Sequence, residues 1–228
     1  MIAGLWLAVL ILGVSSPVAH LEAFGTWAAL VHGSGDLEVV DTLGRTLWWQ
    51  RMPDLVQVEG GPLLLYVLRS DRLETYGSDG IRVGEVPVKA RALAVTASGE
   101  VYLLDPEGIR VYRLNGTRLE PALSLPVPAL GLEGAGLGIA VRFPDSVWVV
   151  GPQGERWWGG SQRVQRVFAQ GMRLFWVQRG DTLFFPRGIQ LPGVKTFDLA
   201  PGPDLWLWWL DQRGLLRALR IARGFPEP

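Results

Sequence analysis

Carboxylates recur at one kind of short turn along this chain, and they are the first residues whose type and spacing could do chemistry. Asp41, Asp105 and Asp211 each open an Asp-x-x-Gly step, and Asp71, Glu107 and Asp181 lie in or beside the corresponding turns. Set as a ring on one face of a disc, these oxygens could hold Ca2+ or dock a basic partner, because hard cations take oxygen ligands. Turn chemistry competes for the same residues: an Asp side chain accepts from the backbone two residues on, and Gly takes the left-handed position. Turn chemistry explains both residue types and their spacing, so the sequence favours it over a ligand site.

A second cluster is His32-Gly-Ser-Gly-Asp36. A serine nucleophile needs a base within hydrogen-bond reach and a third group to orient that base. Here the run sits where a hairpin must turn, and it does not fit the G-x-S-x-G elbow. No catalytic residue is assigned. Metal catalysis has few ligands to draw on, since Asn115 is the sole Asn and His32 the only His beyond the N-terminal stretch. Glu59, Glu100 and Asp198 lie in or near strands where a channel-facing carboxylate could sit, and the sequence favours reading each as a solvated strand-end charge. No metal ligand and no cofactor is assigned, with Ca2+ as the alternative at the turn carboxylates. The 11 Trp residues cluster as Trp48/Trp49, Trp157/Trp158 and Trp206/Trp208/Trp209. Adjacent residues of a strand face opposite ways, so most of these rings are expected to fill a core. Trp49 and Trp157, flanked by Gln50 and Arg156, are the two expected at a binding surface.

The elements that position these residues are strands. EVVDTLGRTLWW (38–49), VYLLDPEGIRVY (101–112) and LWWLDQRGLLRAL (207–219) are three copies of one hairpin. LYVLRSDRLETY (65–76), VWVVGPQGERWW (147–158) and LFWVQRGDTLFF (174–185) are looser copies. Each follows a further apolar strand and a Gly-, Pro-, Ser- or Asp-rich turn, which gives six units and marks a repeat architecture. DLWLWWLD (204–211) is apolar on both faces, whereas a strand with one solvated face alternates. A sheet packed between two neighbours, as in a propeller blade, buries both faces; a two-sheet sandwich buries one.

Net charge is zero, with 22 bases and 22 acids interspersed, so nothing tracks a phosphate backbone and nucleic-acid binding is excluded. The bases are Arg apart from Lys89 and Lys195, a bias that fits a GC-rich, thermophilic source. The absence of Cys excludes disulfides and thiolate chemistry. Residues 2–14, IAGLWLAVLILGV, followed by SSPVA, match a secretory leader in length and flank, although residues 1–19 carry no charged side chain. The expected organisation is a signal peptide or membrane anchor over 1–23 and one propeller domain over 24–228. Candidate cleavage points follow Ser16, Ala19 and Ala23. The expected location is extracytoplasmic: periplasmic, secreted or membrane-anchored, with membrane contact only through residues 1–19 if the leader stays.

The hairpin resembles the blade repeat of quinoprotein-type and NHL-type β-propellers over about residues 24–222. Asp41, Asp105 and Asp211 match that repeat's Asp, and Gly44, Gly108, Gly154 and Gly214 its Gly. Trp48, Tyr112 and Trp158 match its inter-blade aromatic, while Arg69 and Gln178 depart at the Asp position. The resemblance implies an all-β single propeller of about six, or five, three- to four-stranded blades, with the Asp-x-x-Gly turn joining the second and third strands. It implies a closing strand for the last blade, which His20–Thr26 is expected to supply. By analogy of fold, the function expected is a non-catalytic adapter or scaffold binding envelope proteins. A metal-dependent propeller lactonase and a glycan-binding module are the rivals. Quinone-dependent dehydrogenases of this architecture are longer than this chain.

Overall fold

A computed structural model describes residues 12–13, 18–161, 163–170, 174–185, 188–200 and 205–221. They form 24 strands in six four-stranded antiparallel sheets. A two-residue strand β1 (Leu12–Gly13) comes first, and blade 1 follows as β2 (Val18–Phe24), β3 (Trp27–His32), β4 (Asp36–Val40) and β5 (Thr46–Arg51). Blade 2 is β6 (Leu55–Gly60), β7 (Leu65–Arg69), β8 (Arg72–Tyr76) and β9 (Arg82–Pro87). Blade 3 is β10 (Ala92–Val95), β11 (Val101–Leu104), β12 (Arg110–Asn115) and β13 (Arg118–Ser124). Blade 4 is β14 (Gly131–Ala135), β15 (Gly138–Arg142), β16 (Ser146–Val150) and β17 (Arg156–Ser161). Blade 5 is β18 (Val164–Gln170), β19 (Leu174–Arg179), β20 (Thr182–Phe184) and β21 (Gln190–Pro192). Blade 6 is β22 (Val194–Ala200), β23 (Leu205–Asp211) and β24 (Leu215–Ile221), closed by β1. The chain is a six-bladed β-propeller.

The two-faced apolar strands are explained by the seams between blades. On β23, Trp208 and Leu210 pack with Leu21, Leu30 and Val40 of blade 1, while Leu207 and Trp209 pack with Phe168 and Trp176 of blade 5. On β11, Tyr102 and Leu104 join blade 4 while Val101 and Leu103 join blade 2. The remaining seams, between blades 1 and 2 and between blades 4 and 5, have apolar clusters of their own. Trp176 and Trp208 are fully buried in these seams. Truncating such a ring costs on the order of 3–5 kcal/mol, so each seam contributes heavily to stability.

Two expectations about the repeat are corrected. Leu12–Gly13, rather than His20–Thr26, supplies the closing strand, pairing Leu12 with Leu216 and Gly13 with Leu215. Val18–Phe24 is instead the innermost strand of blade 1, where Leu21 and Ala23 face blade 6 and Phe24 faces blade 2. The Asp-x-x-Gly turn joins the second and third strands in blades 3 and 6, but it joins the third and fourth in blade 1. Turn chemistry is indifferent to which hairpin it closes, so the motif alone does not mark a strand's place in the blade.

The six inner strands run in one direction, and their C-terminal ends converge at one end of the axis. There the backbones come so close that a Cβ on Gly60 would lie 2.0 Å from the Ala23 carbonyl oxygen. A Cβ on Gly134 would lie 2.3 Å from the carbonyl oxygen of Val95. Gly134→Ala is therefore expected to lower the free energy of unfolding by about 2–4 kcal/mol, as overpacking against backbone does. Gly84→Ala, on an outer strand with its nearest neighbour 3.8 Å away, serves as the control and should stay within about 0.5 kcal/mol. Denaturant melts of the two variants check this pair of outcomes.

Candidate functional site

Among the described residues, charged groups from several blades meet at the axis, and they are spent on one another. Glu22, two residues before the end of β2, is 2 % exposed and accepts from Arg166 Nη2 of β18 at 2.6 Å. Arg166 Nη1 also donates to the Leu21 carbonyl at 2.6 Å, and Nη2 lies 3.5 Å from Asp198 of β22. The Ala23 N–H donates to Asp198 Oδ2 at 2.7 Å. Glu59 Oε2 accepts from the Gly134 N–H at 2.7 Å, and its Oε1 accepts from Gln57 Nε2 at 2.8 Å. Gln57 in turn donates to the Leu93 and Leu132 carbonyls and accepts from the Leu93 N–H, tying blades 2, 3 and 4 together. His20 pairs with Glu22 from the same strand. The cavity left between Glu22, Glu59, Gly134, Phe168 and Asp198 measures about 20 Å³, room for a single water.

Three buried carboxyls and one guanidinium cannot all be charged at equal cost, and their protons divide accordingly. Burial pushes Glu22 up, but Arg166 and His20 outweigh it and hold its pKa down at about 2. Burial, reinforced by the charge on Glu22, raises Glu59 well above the usual carboxylate range. Burial likewise lifts Asp198 to about 8, against the pull of Arg166. Arg166 is shifted upward, because the surrounding carboxylates outweigh its own burial.

These shifts set the pH dependence of stability. Glu59 and Asp198 bind more protons folded than unfolded, so their contribution is complete below the unfolded carboxylate range and is lost as pH rises towards 8. Glu22 acts oppositely: its contribution is complete above 4.5 and is lost as pH falls towards 2. The melting temperature is therefore expected to be highest near pH 4 and to fall between pH 4 and pH 8. Asp198→Asn, which keeps an oxygen for the Ala23 N–H, is expected to flatten that alkaline limb. Thermal melts of both proteins across the range check the slope and its origin.

The carboxylates singled out on sequence do not form one ring. Asp71, Asp105, Glu107, Asp181 and Asp211 lie on connections between second and third strands, whereas Asp41 lies between a third and a fourth, on the opposite face. Asp41 Oδ1 accepts from the Leu43 and Arg45 N–H groups, each at 2.9 Å. Asp211 Oδ1 accepts from the Arg213 and Leu215 N–H groups, each at 2.9 Å, and Asp105 Oδ1 from those of Ile109 and Arg110. The Gly residues of these turns, Gly44, Gly108 and Gly214, have φ of 74°, 77° and 78°. The arrangement is turn chemistry, repeated. Asp211, with its Arg217 partner, also walls a recess of about 260 Å³ between blades 5 and 6, alongside Leu191, Pro192, Trp209 and Arg213. Asp71 pairs with Arg72 at 2.7 Å. Asp181 lies exposed beside Thr182, whose hydroxyl donates to it at 3.2 Å.

His32 Nε2 bonds Glu38 at 3.0 Å, and the Ser34 hydroxyl donates to Asp36 at 2.6 Å. Trp49 is 57 % exposed, two residues from Leu47 (41 %) on the same strand, and Leu43 (60 %) is exposed in the turn of the same hairpin. Trp157 is partly buried against the seam of blades 4 and 5, and its indole N–H donates to Glu155. Glu100 lies 3.5 Å from Arg113 near the surface, but Glu59 and Asp198 are channel groups and not the solvated charges expected. Glu22 and Arg166 went unsuggested, one hidden in the N-terminal apolar stretch and the other in a strand read as core. A signal was present: Glu22, Glu59 and Asp198 each sit one or two residues before an inner strand ends, next to small or apolar neighbours. Among the described residues, no group of three or more His, Asp or Glu side chains is arranged to hold a metal ion.

No protein-family model matches the chain, and no curated protein matches it. Solved structures do. The WD40 domain of Neurospora crassa Pan2 is 11 % identical, with 92 % of this chain and 91 % of that chain covered and a TM-score of 0.59. PorZ of Porphyromonas gingivalis, an essential bacterial surface component of the type-IX secretion system, is 15 % identical with a TM-score of 0.56. That match covers 94 % of this chain and 34 % of PorZ. Virginiamycin B lyase of Staphylococcus aureus, inactive and with quinupristin, is 11 % identical with a TM-score of 0.51, covering 94 % and 80 % of the two chains. At these identities the likeness is one of fold, shared by WD40-type and quinoprotein-like propellers, and such folds carry binding proteins and an enzyme alike.

Proposed function

We propose that this chain is a non-catalytic propeller that binds protein partners through its rim, working outside the cytoplasm as an adapter or scaffold of the cell envelope. The observation that carries this reading is the contrast between centre and edge. The axis is filled by paired side chains around a space for one water, while the β4–β5 hairpin presents Leu43, Leu47 and Trp49 to solvent. Trp176 and Trp208 fill seams, but Trp49 fills none, and exposed Trp beside aliphatic residues is the composition of protein-binding hot spots. The extracytoplasmic part rests on the apolar stretch over residues 2–14, and by analogy on PorZ. The hydrolase alternative has no observation in its favour, because the channel carboxylates are already bound to Arg166, Gln57 and backbone N–H groups.

The test immobilises the full chain and exposes it to detergent-solubilised envelope, beside a Trp49→Ser variant of unchanged melting temperature. A salt-resistant partner retained by the natural chain and reduced roughly tenfold or more by the variant is the expected result. Empty beads, or equal retention by both proteins, would contradict the rim assignment.

A further inference from the structure

Ring closure and export draw on the same residues and make different demands on them. Of the candidate cleavage points, those after Ala19 and Ala23 fall inside β2, and the one after Ser16 separates β1 from the rest. Within β2 the contacts are buried and specific. Glu22 holds Arg166 at 2.6 Å, the Leu21 carbonyl accepts from the same guanidinium, and the Ala23 N–H donates to Asp198. The Val18 carbonyl accepts from Lys195 Nζ at 2.8 Å. A cut after Ala23 would take Glu22, at 2.6 Å the nearer carboxylate, from Arg166, itself 7 % exposed, leaving Asp198 at 3.5 Å. Breaking a buried pair from one side is strongly destabilising, because the remaining charge is desolvated and uncompensated. A cut after Ser16 or Ala19 would remove Leu12 and Gly13, the fourth strand of blade 6.

We infer that the strands Leu12–Gly13 and Val18–Phe24 stay in the mature protein as the latch of the ring, and that any processing of this chain takes place before Leu12. The strand that follows the leader-like stretch belongs to the ring itself: Leu21, Ala23 and Phe24 of β2 are all buried. The inference bears on the export part of the proposed function but does not depend on it, since the latch contacts hold in any compartment.

The test has two arms on the same chain carrying a C-terminal tag. In the first, the protein is recovered from each cell fraction and its N-terminal peptides are identified by mass spectrometry. Peptides covering residues 12–24 are expected in the folded protein, and a mature terminus at Pro17, His20 or Phe24 would overturn the inference. In the second, thermal melts compare the full chain with Glu22→Ala and with a chain starting at Phe24. Glu22→Ala is expected to melt roughly 10 °C lower. Glu22→Gln, which keeps an acceptor for Arg166, should recover part of that loss. The shortened chain is expected to show no cooperative transition, and a transition within a few degrees of the full chain would contradict the latch. An intact N-terminus found only in the cytoplasm would sink the export reading while leaving the latch to stand on the melts.

Discussion

Arg166 of blade 5 pairs with Glu22 of blade 1, passing over blade 6, and Glu59 of blade 2 accepts from Gly134 of blade 4, passing over blade 3. Such contacts reach across the axis only because the inner strands end almost touching, with Gly60 and Gly134 where no side chain fits. The rest of the architecture depends on this convergence. Each blade buries both faces, so none is complete without two neighbours, and the last seam forms only when the N-terminal strands reach blade 6. The cross-axis bonds fix that closure in a specific register. Apolar packing supplies most of the stability, and the buried charges supply geometry at a cost in desolvation that Glu59 and Asp198 reduce by holding their protons.

Seen this way, the centre of the ring is a joint. Its polar groups satisfy each other and the ends of the strands, which is what buried polar groups must do when water is excluded. The rim binding proposed above draws on the periphery, where turns and outer strands lie outside the seams. The hairpin carrying Leu43, Leu47 and Trp49 belongs to the outer part of blade 1 and contributes to no seam through those three residues. The recess at Asp211 and Arg217 is walled by the outer strand β21 and the β23–β24 connection, and also by Trp209 of the blade 5–6 seam.

Much of this was legible in the sequence because it is local. Hairpins announce themselves through Asp-x-x-Gly turns and paired apolar runs, and strands apolar on both faces, such as LWLWWLD, point to burial between two sheets. What escaped was non-local or weakly marked. GLEGA at β14 is too rich in glycine to read as a strand, and QLP at β21 is too short. Val18–Phe24 was hidden by its likeness to a leader, and with it the carboxylate that anchors the axis. Glu59 and Asp198 differ from Glu100 only in sitting one or two residues before an inner strand ends, a mark that is readable only once the inner strands are known. The same limit explains the carboxylate ring: its members share a turn type, yet Asp41 closes a different hairpin and faces the other way.

Amide hydrogen exchange of the full chain, followed peptide by peptide, tests most directly whether the axis is a structural joint. Peptides covering 18–24, 55–60 and 131–135 are expected to exchange only through global unfolding, with protection equal to that of the blade seams. Inner-strand peptides that exchange as fast as the surface turns would show an axis that opens locally, and would contradict the account.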